Sequence, residues 1–210
     1  TMATSIKELV EKVKLSPDKI QSVKWDTPIN CKSEGVYIIS MSDTAESKIT
    51  MEEFPISIDI LKDWIKKLDY FTLDGEETKD ANKIKNRLAE FLLPDQSILY
   101  IGKAPLRNNG KSGIGTRVKE YYNTAIGERS PHAGGHWIKL LENLEKLHVF
   151  YIPCNNSTEI EKRMIDTFGK LVSESTKKRL SEKGPILPFA NLKDGNNVKK
   201  KHEIGHMKLN

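Results

Sequence analysis

Three short runs constrain this chain more than anything else in it: GVYII (Gly35 to Ile39), SILYIG (Ser97 to Gly102) and HVFYIP (His148 to Pro153). Each is rich in β-branched and aromatic residues and too short for an ordinary helix, so each reads as a strand. Helical spacing fills the intervals. Ile6, Leu9, Val10 and Val13 mark an amphipathic helix that ends near SPDK. Ile60, Leu61, Trp64, Ile65 and Leu68 mark a second, and Ile84, Leu88, Phe91 and Leu92 a third, with the acidic stretch Asp74 to Asp80 read as the loop between them. Downstream, the Gly- and Asn-rich RNNGKSGIG opens a helix from about Thr116, WIKLLENL (Trp137 to Leu144) reads as a further helix, and TEIEKRMIDTFGKLV (Thr158 to Val172) is the most regular helical pattern in the chain. Together these elements make a small α+β domain.

The 210 residues suffice for one domain with a sizeable core. No run approaches the roughly 20 apolar residues of a membrane span, and TMATSIKELVEK is charged where a secretory signal is apolar, so no membrane is expected and the cytoplasm is the expected compartment. Cys31 and Cys154 are far apart and in no C-x-x-C pairing, which argues for neither a disulfide framework nor a thiolate zinc site. A net charge of +5 suits a polyanionic partner. Its distribution is uneven, with Lys177, Lys178 and Arg179 in TKKR and Lys199, Lys200 and Lys201 in VKKK. Such runs are read either as contacts to nucleic-acid phosphates or as a solvated face.

Two local motifs invite functional readings that the surrounding sequence opposes. GKS at Gly110 to Ser112 resembles the end of a phosphate-binding loop, but Pro105 stands where that loop needs its first glycine. HEIGH, His202 to His206, matches the H-E-x-x-H pattern in which two histidines on one helical face grip zinc. Only MKLN remains for the usual downstream third ligand, and Gly205 weakens the helix the motif needs. A zinc metalloprotease is therefore the least favoured enzymatic reading, and the segment reads instead as part of a basic tail.

Gly35-Val36-Tyr37 and the verbatim Tyr100-Ile101-Gly102, followed by Lys103, resemble the paired strands of the GIY-YIG nucleases. Further matches follow in order: Arg117 and, four residues on, Tyr121 in TRVKEYY; Glu161 in Glu161-Lys162-Arg163-Met164-Ile165; and Pro188 with Asn191 in LPFAN. The resemblance runs from about Gly35 to Asn191. It implies a small three-stranded, mainly antiparallel sheet flanked by helices, with a two-helix insertion at about 52–94 between the first two motif strands. Residues 1–34 form a lead-in helix and segment, and 192–210 a basic tail. The long insertion is similar to that of the family's stand-alone restriction endonucleases.

The helix bearing Glu161 supports this independently. Ile160, Met164, Ile165, Phe168, Leu171 and Val172 form one apolar stripe, and Glu161 projects from within it, whereas Glu159 shares the polar face with Lys162, Arg163 and Asp166. A carboxylate among apolar neighbours needs a cation, either a metal or a salt bridge to Arg117 or Lys103. The resemblance implies Mg²⁺ or Mn²⁺ on Glu161, Tyr37 as base with Lys103 favouring its phenolate, Arg117 on the phosphate, and Tyr100 and Tyr121 orienting phosphate or water. Asn191 braces the site, and His132 and His136 in SPHAGGHWI are supporting candidates. The implied partner is duplex DNA, touched also by the two lysine runs; cutting both strands calls for a homodimer, a higher assembly or sequential nicking. The alternative is a DNA-binding or structural module that kept the fold without turnover.

Overall fold

The computed structural model describes residues 4–47, 54–108 and 112–207. Parts of two expectations lie outside them: Gly110 and Lys111 of the GKS loop, and the first residues of the insertion. Within the described residues the architecture is α+β, with antiparallel sheets of four and three strands. No described helix is long and apolar enough to cross a membrane.

The main sheet holds the three expected strands, β2 (Gly35–Ser40), β5 (Ile98–Ala104) and β6 (His148–Pro153), and a fourth, β1 (Gln21–Lys24). The order is β1-β6-β2-β5, so the expected three-stranded sheet gains an edge. β1 escaped the sequence reading because QSVK carries one apolar residue and shows mostly exposed positions, as an outer strand does. β2 lies between β6 and β5, and all its residues are buried. Alternation therefore feeds two cores. Tyr37 and Ile39 face one shared with Tyr100, Val149 and Tyr151; Val36 and Ile38 face the other with Ile101, Phe150 and Ile152.

The first core is closed by α4 (Ile114–Asn123), which turns Ile114, Val118 and Tyr121 inward. The second is closed by α1 (Ile6–Lys12) and α5 (Ser157–Leu171), whose Ile160, Met164, Ile165 and Phe168 form the stripe read in the sequence. WIKLLENL is not an α-helix. It forms two short 3-10 turns, His136–Leu140 and Leu144–Lys146, interrupted at Asn143, whose φ of 60° is left-handed.

The insertion contains its two helices, α2 (Ile58–Lys66) and α3 (Ala81–Ala89). Between them the acidic stretch is a hairpin of β3 (Tyr70–Leu73) and β4 (Glu76–Glu77), turned at Asp74-Gly75 with both φ values positive, as an Asp-Gly hairpin turn requires. The C-terminal segment is not a free tail. β7 (Ile204–Met207) pairs antiparallel with β3, Phe71 opposite His206 and Thr72 opposite Gly205. Arg87 locks the corner, reaching Asp74 through both guanidinium ends at 2.8 Å and the His202 carbonyl at 3.1 Å. A sixth helix, α6 (Glu174–Arg179), follows α5.

Candidate active site

Tyr37 stands opposite Gly102 in the β2–β5 register, and this pairing shapes the site. A Cβ on Gly102 would lie 2.5 Å from Tyr37 Cζ and 2.9 Å from Tyr100 Cε1. Only glycine lets both rings crowd over the edge strand, which accounts physically for the last letter of YIG. Tyr37, Tyr100 and Tyr121 form a ring cluster, with centroids 6.1 Å apart for Tyr37–Tyr100 and 5.4 Å for Tyr100–Tyr121. All three phenols are buried. Desolvation lifts each above its ordinary pKa, so each is protonated at neutral pH.

Glu161 on α5 meets Lys103 on β5 at 3.0 Å. The two come from the sheet face packed by α5, whereas Tyr37, Tyr100 and Arg117 come from the face packed by α4. Their fields meet across the edge strand. After burial, the Glu161 charge is the strongest influence raising Tyr100, and it also raises Tyr37; Arg117 opposes it on both phenols. The Glu161 carboxyl is itself pushed up by burial, partly offset by Lys103, Lys193 and Arg117. Of the two cation partners anticipated for this acid, Lys103 is the one paired with it, and Arg117 bonds Glu120 instead. Glu159, on the same helix, is exposed.

Lys103 does not serve Tyr37 as expected: its ammonium is on Glu161, and the group on the Tyr37 hydroxyl is His132 Nε2, 2.5 Å away. His132 is fully buried, its Nδ1 is 3.0 Å from the Gly134 carbonyl, and its ring stacks on Tyr121 at 4.5 Å. Burial and then Arg117 push it down to about 3, so the imidazole is neutral. Nδ1–H then donates to Gly134, leaving Nε2 to accept from the phenol. His136 lies next to this arrangement without touching the phenols: it is among the influences that lower His132, and burial lowers its own ring against backbone groups of His132 and Glu128.

The loop Ser130 to Gly135 covers the phenols. A Cβ on Gly134 would fall 2.7 Å from the Tyr100 hydroxyl, and one on Gly135 would fall 2.5 Å from that of Tyr121. Tyr121 donates to the Gly135 carbonyl at 2.5 Å, so its hydroxyl anchors this loop instead of facing a phosphate. The accessible part of the site is a charged rim, in which Arg117 and Lys103 keep 23% and 36% of their side-chain surfaces exposed.

Two rim residues were missed in the sequence. Arg107 donates to Glu120 with both guanidinium ends, at 2.7 and 2.8 Å, and Arg117 donates to the same carboxylate at 3.1 Å and to the Pro131 carbonyl at 3.0 Å. Glu120 thus yokes two guanidinium groups, which hold its carboxyl below the usual range. The Arg-x-x-Glu spacing of Arg117 and Glu120 on one helical face was the available signal.

Asn191 grips the YIG strand from outside. Its amide accepts from Ile101 N–H and donates to the Ile101 carbonyl, both at 2.9 Å. The basic runs divide differently from expectation. Lys200 is buried, its amine donating to the Pro188 and Phe189 carbonyls and sitting 5.3 Å over both Phe91 and Trp137, so it is withdrawn from the set offered to DNA. Lys177 pairs with Glu174 at 2.6 Å, and Arg179 bonds the Glu90 and Leu92 carbonyls. Lys178, Lys199 and Lys201 are exposed. HEIGH holds no helix: His202 packs on Trp137 and His206 on Trp64. Among the described residues no group of three or more His, Cys, Asp or Glu could hold a metal. No protein-family model matches the chain, and neither a curated protein sequence nor a solved structure matches it.

Proposed function

We propose that this chain is a metal-dependent DNA endonuclease of the GIY-YIG type, acting as a restriction enzyme does on duplex DNA. The observation that carries the reading is the crowding of Tyr37 and Tyr100 over Gly102 on the edge strand, which also bears Lys103 in its pair with Glu161, while Arg117 bonds the loop that covers the phenols.

Glu161 fits a Mg²⁺ or Mn²⁺ site of the sparse kind. A single carboxylate, desolvated enough to be held above its ordinary pKa, suits an ion that keeps most of its waters and takes its remaining ligands from the substrate phosphate. When bound, the ion supplies charge stabilisation at the departing 3′ oxygen. The protein does the rest. Arg117 and Arg107, fixed by Glu120, hold the phosphate and oppose its growing charge. A water admitted past the covering loop gives its proton to Tyr37 as the Tyr37 proton passes to His132 Nε2, and the bond from His132 Nδ1 to Gly134 keeps Nε2 free to accept it. A phosphate at Arg117 cancels part of the repulsion that holds His132 down, so substrate raises the basicity of the acceptor. Lys103 keeps Glu161 ionised, and Asn191 fixes the strand.

A second reading, a DNA-binding module without turnover, is favoured by one observation: the phenols are sealed beneath the loop carrying His132. Supercoiled plasmid incubated with the full chain and Mg²⁺ separates the two. The nuclease reading expects nicked or linear products with 5′-phosphate and 3′-hydroxyl ends. Retarded but uncut DNA in both Mg²⁺ and Mn²⁺ supports the module.

A further inference from the structure

Beside the candidate site, the described residues enclose a cleft of about 990 Å³. The main domain contributes Trp25, Tyr122 and the loop Ala125 to Arg129; the insertion contributes Trp64 from α2, and the C-terminal strand His206 and Met207. Trp25 meets Tyr122 edge-on at 5.0 Å, and Trp64 meets His206 at 4.9 Å. Trp64 is only 6% exposed, and its indole N–H has no hydrogen-bond partner. A Cβ on Gly127 would come within 3.0 Å of that nitrogen, so the Gly127 backbone lies against the indole edge and covers it. A buried donor without an acceptor is unusual enough to require a cause, and an absent ligand is one. Lys67 and Arg129 stand in the same lining with Asp63 and Glu128.

This mixture selects among ligands. A lipid chain or an apolar side chain would satisfy the rings and leave the indole N–H and the charges unmet. A nucleobase offers a π-face for the rings, ring nitrogens and carbonyls for the indole, amino groups for a carboxylate, and a flanking phosphate for the cations. The cleft also adjoins the site. Trp25 lies 5.5 Å from Tyr121, whose ring stacks on His132. Lys139, in the lining, donates to the Tyr121 and Tyr122 carbonyls at 2.7 and 3.2 Å, and Thr124 Oγ1, also in the lining, accepts from His132 N–H at 3.3 Å.

We propose that this cleft receives one nucleobase of the strand bound at the candidate site, its face on Trp25 and its edge toward Tyr122, with the Trp64 indole as its donor once the Ala125 to Arg129 loop gives way. The choice of nucleic acid rests on the nuclease reading; the pocket chemistry does not. The insertion and the HEIGH strand then serve to build the outer wall of a base-reading pocket.

Metal-free titrations of the full chain test this, with tryptophan fluorescence as readout and dAMP, dGMP, dCMP, TMP and 2-deoxyribose 5-phosphate as probes. At least one nucleotide is expected to bind while the sugar phosphate does not, and Trp25→Leu is expected to weaken that binding roughly tenfold. Met207→Glu, at a rim position 54% exposed and so safe for folding, weakens it as well. No nucleotide binding, an equal response to the sugar phosphate, or unchanged affinity in both variants overturns the proposal. Oligonucleotides then distinguish the source of the base: preference for a mismatched over a matched duplex assigns it to an extruded nucleotide, and preference for single strands to an unpaired one. Because no cleavage is read, a chain that binds nucleotides yet cuts nothing retains the pocket and loses the nuclease reading. One that cuts DNA at wild-type rate and affinity in both variants retains the nuclease reading and loses the pocket.

Discussion

Two groups of ionisable and aromatic residues in this protein look alike in the sequence and differ in what holds them. Around Gly102, the charged groups are bound chiefly to one another: Glu161 to Lys103, and Glu120 to Arg107 and Arg117. Around Lys200, the partners are rings and backbone: the amine meets the Pro188 and Phe189 carbonyls and two aromatic faces, and His202 packs on Trp137. Side-chain ion pairs at a partly open rim can exchange their partners for a phosphate or a metal. An amine seated on backbone carbonyls cannot leave without loosening the fold. The charges of the first group are free to change partners, and the second group closes the C-terminal segment onto the domain.

Variants at the first group should damage catalysis with little loss of stability, and the sharpest is Arg117→Ala. Loss of a guanidinium aimed at developing charge is expected to lower kcat by about 10³-fold. His132→Ala is expected to lower kcat by about 10²-fold and to make the remaining rate rise with pH, because Tyr37 then has no acceptor. An unchanged rate and pH profile would make His132 a packing residue. Glu120→Gln, which keeps the shape but weakens the yoke on both arginines, is expected to cost about tenfold in KM with kcat largely preserved. The smallest catalytic effect belongs to the second group. Lys200→Ala should leave the cleavage rate and the salt dependence of DNA binding unchanged while lowering stability by about 2 kcal/mol, as two carbonyls lose their donor and a void opens between Phe91 and Trp137. A change in the salt slope with unaltered Tm would erase the contrast between the two groups.

What could be read in the sequence was the part encoded locally. GVYII, SILYIG and HVFYIP announce themselves because two neighbours on the same strand suffice to show their character, and the Glu161 helix because its stripe repeats over four turns. The pairing of β3 with β7 joins residues more than a hundred positions apart, and neither IGHM nor YFTL carries a signal of its partner. HEIGH became a strand because β3 offered it an edge, while its glycine weighed against a helix. The same reason hid part of the site. Tyr37 and His132 are 95 positions apart, and the Arg107–Glu120 pair spans 13 across a loop. The resemblance assigned Lys103 to Tyr37 from its place just after Tyr-Ile-Gly, but β-strand alternation sends the two side chains to opposite faces, where Lys103 finds Glu161 instead.

On the proposed nuclease reading, Glu161 is kept in an unfavourable place for the sake of the reaction. Its carboxyl is held above the ordinary value, so the ionised form is disfavoured in the folded chain. Its contribution to stability is greatest below the unfolded pKa of about 4.3 and declines as pH rises through the folded value. The direct measurement pairs the plasmid-nicking rate in Mg²⁺ with Tm at pH 7, for wild type and Glu161→Gln. The expected result is nicking reduced at least ~10³-fold with Tm equal to or above that of wild type. Nicking at the wild-type rate, or a Tm several degrees lower, would contradict it.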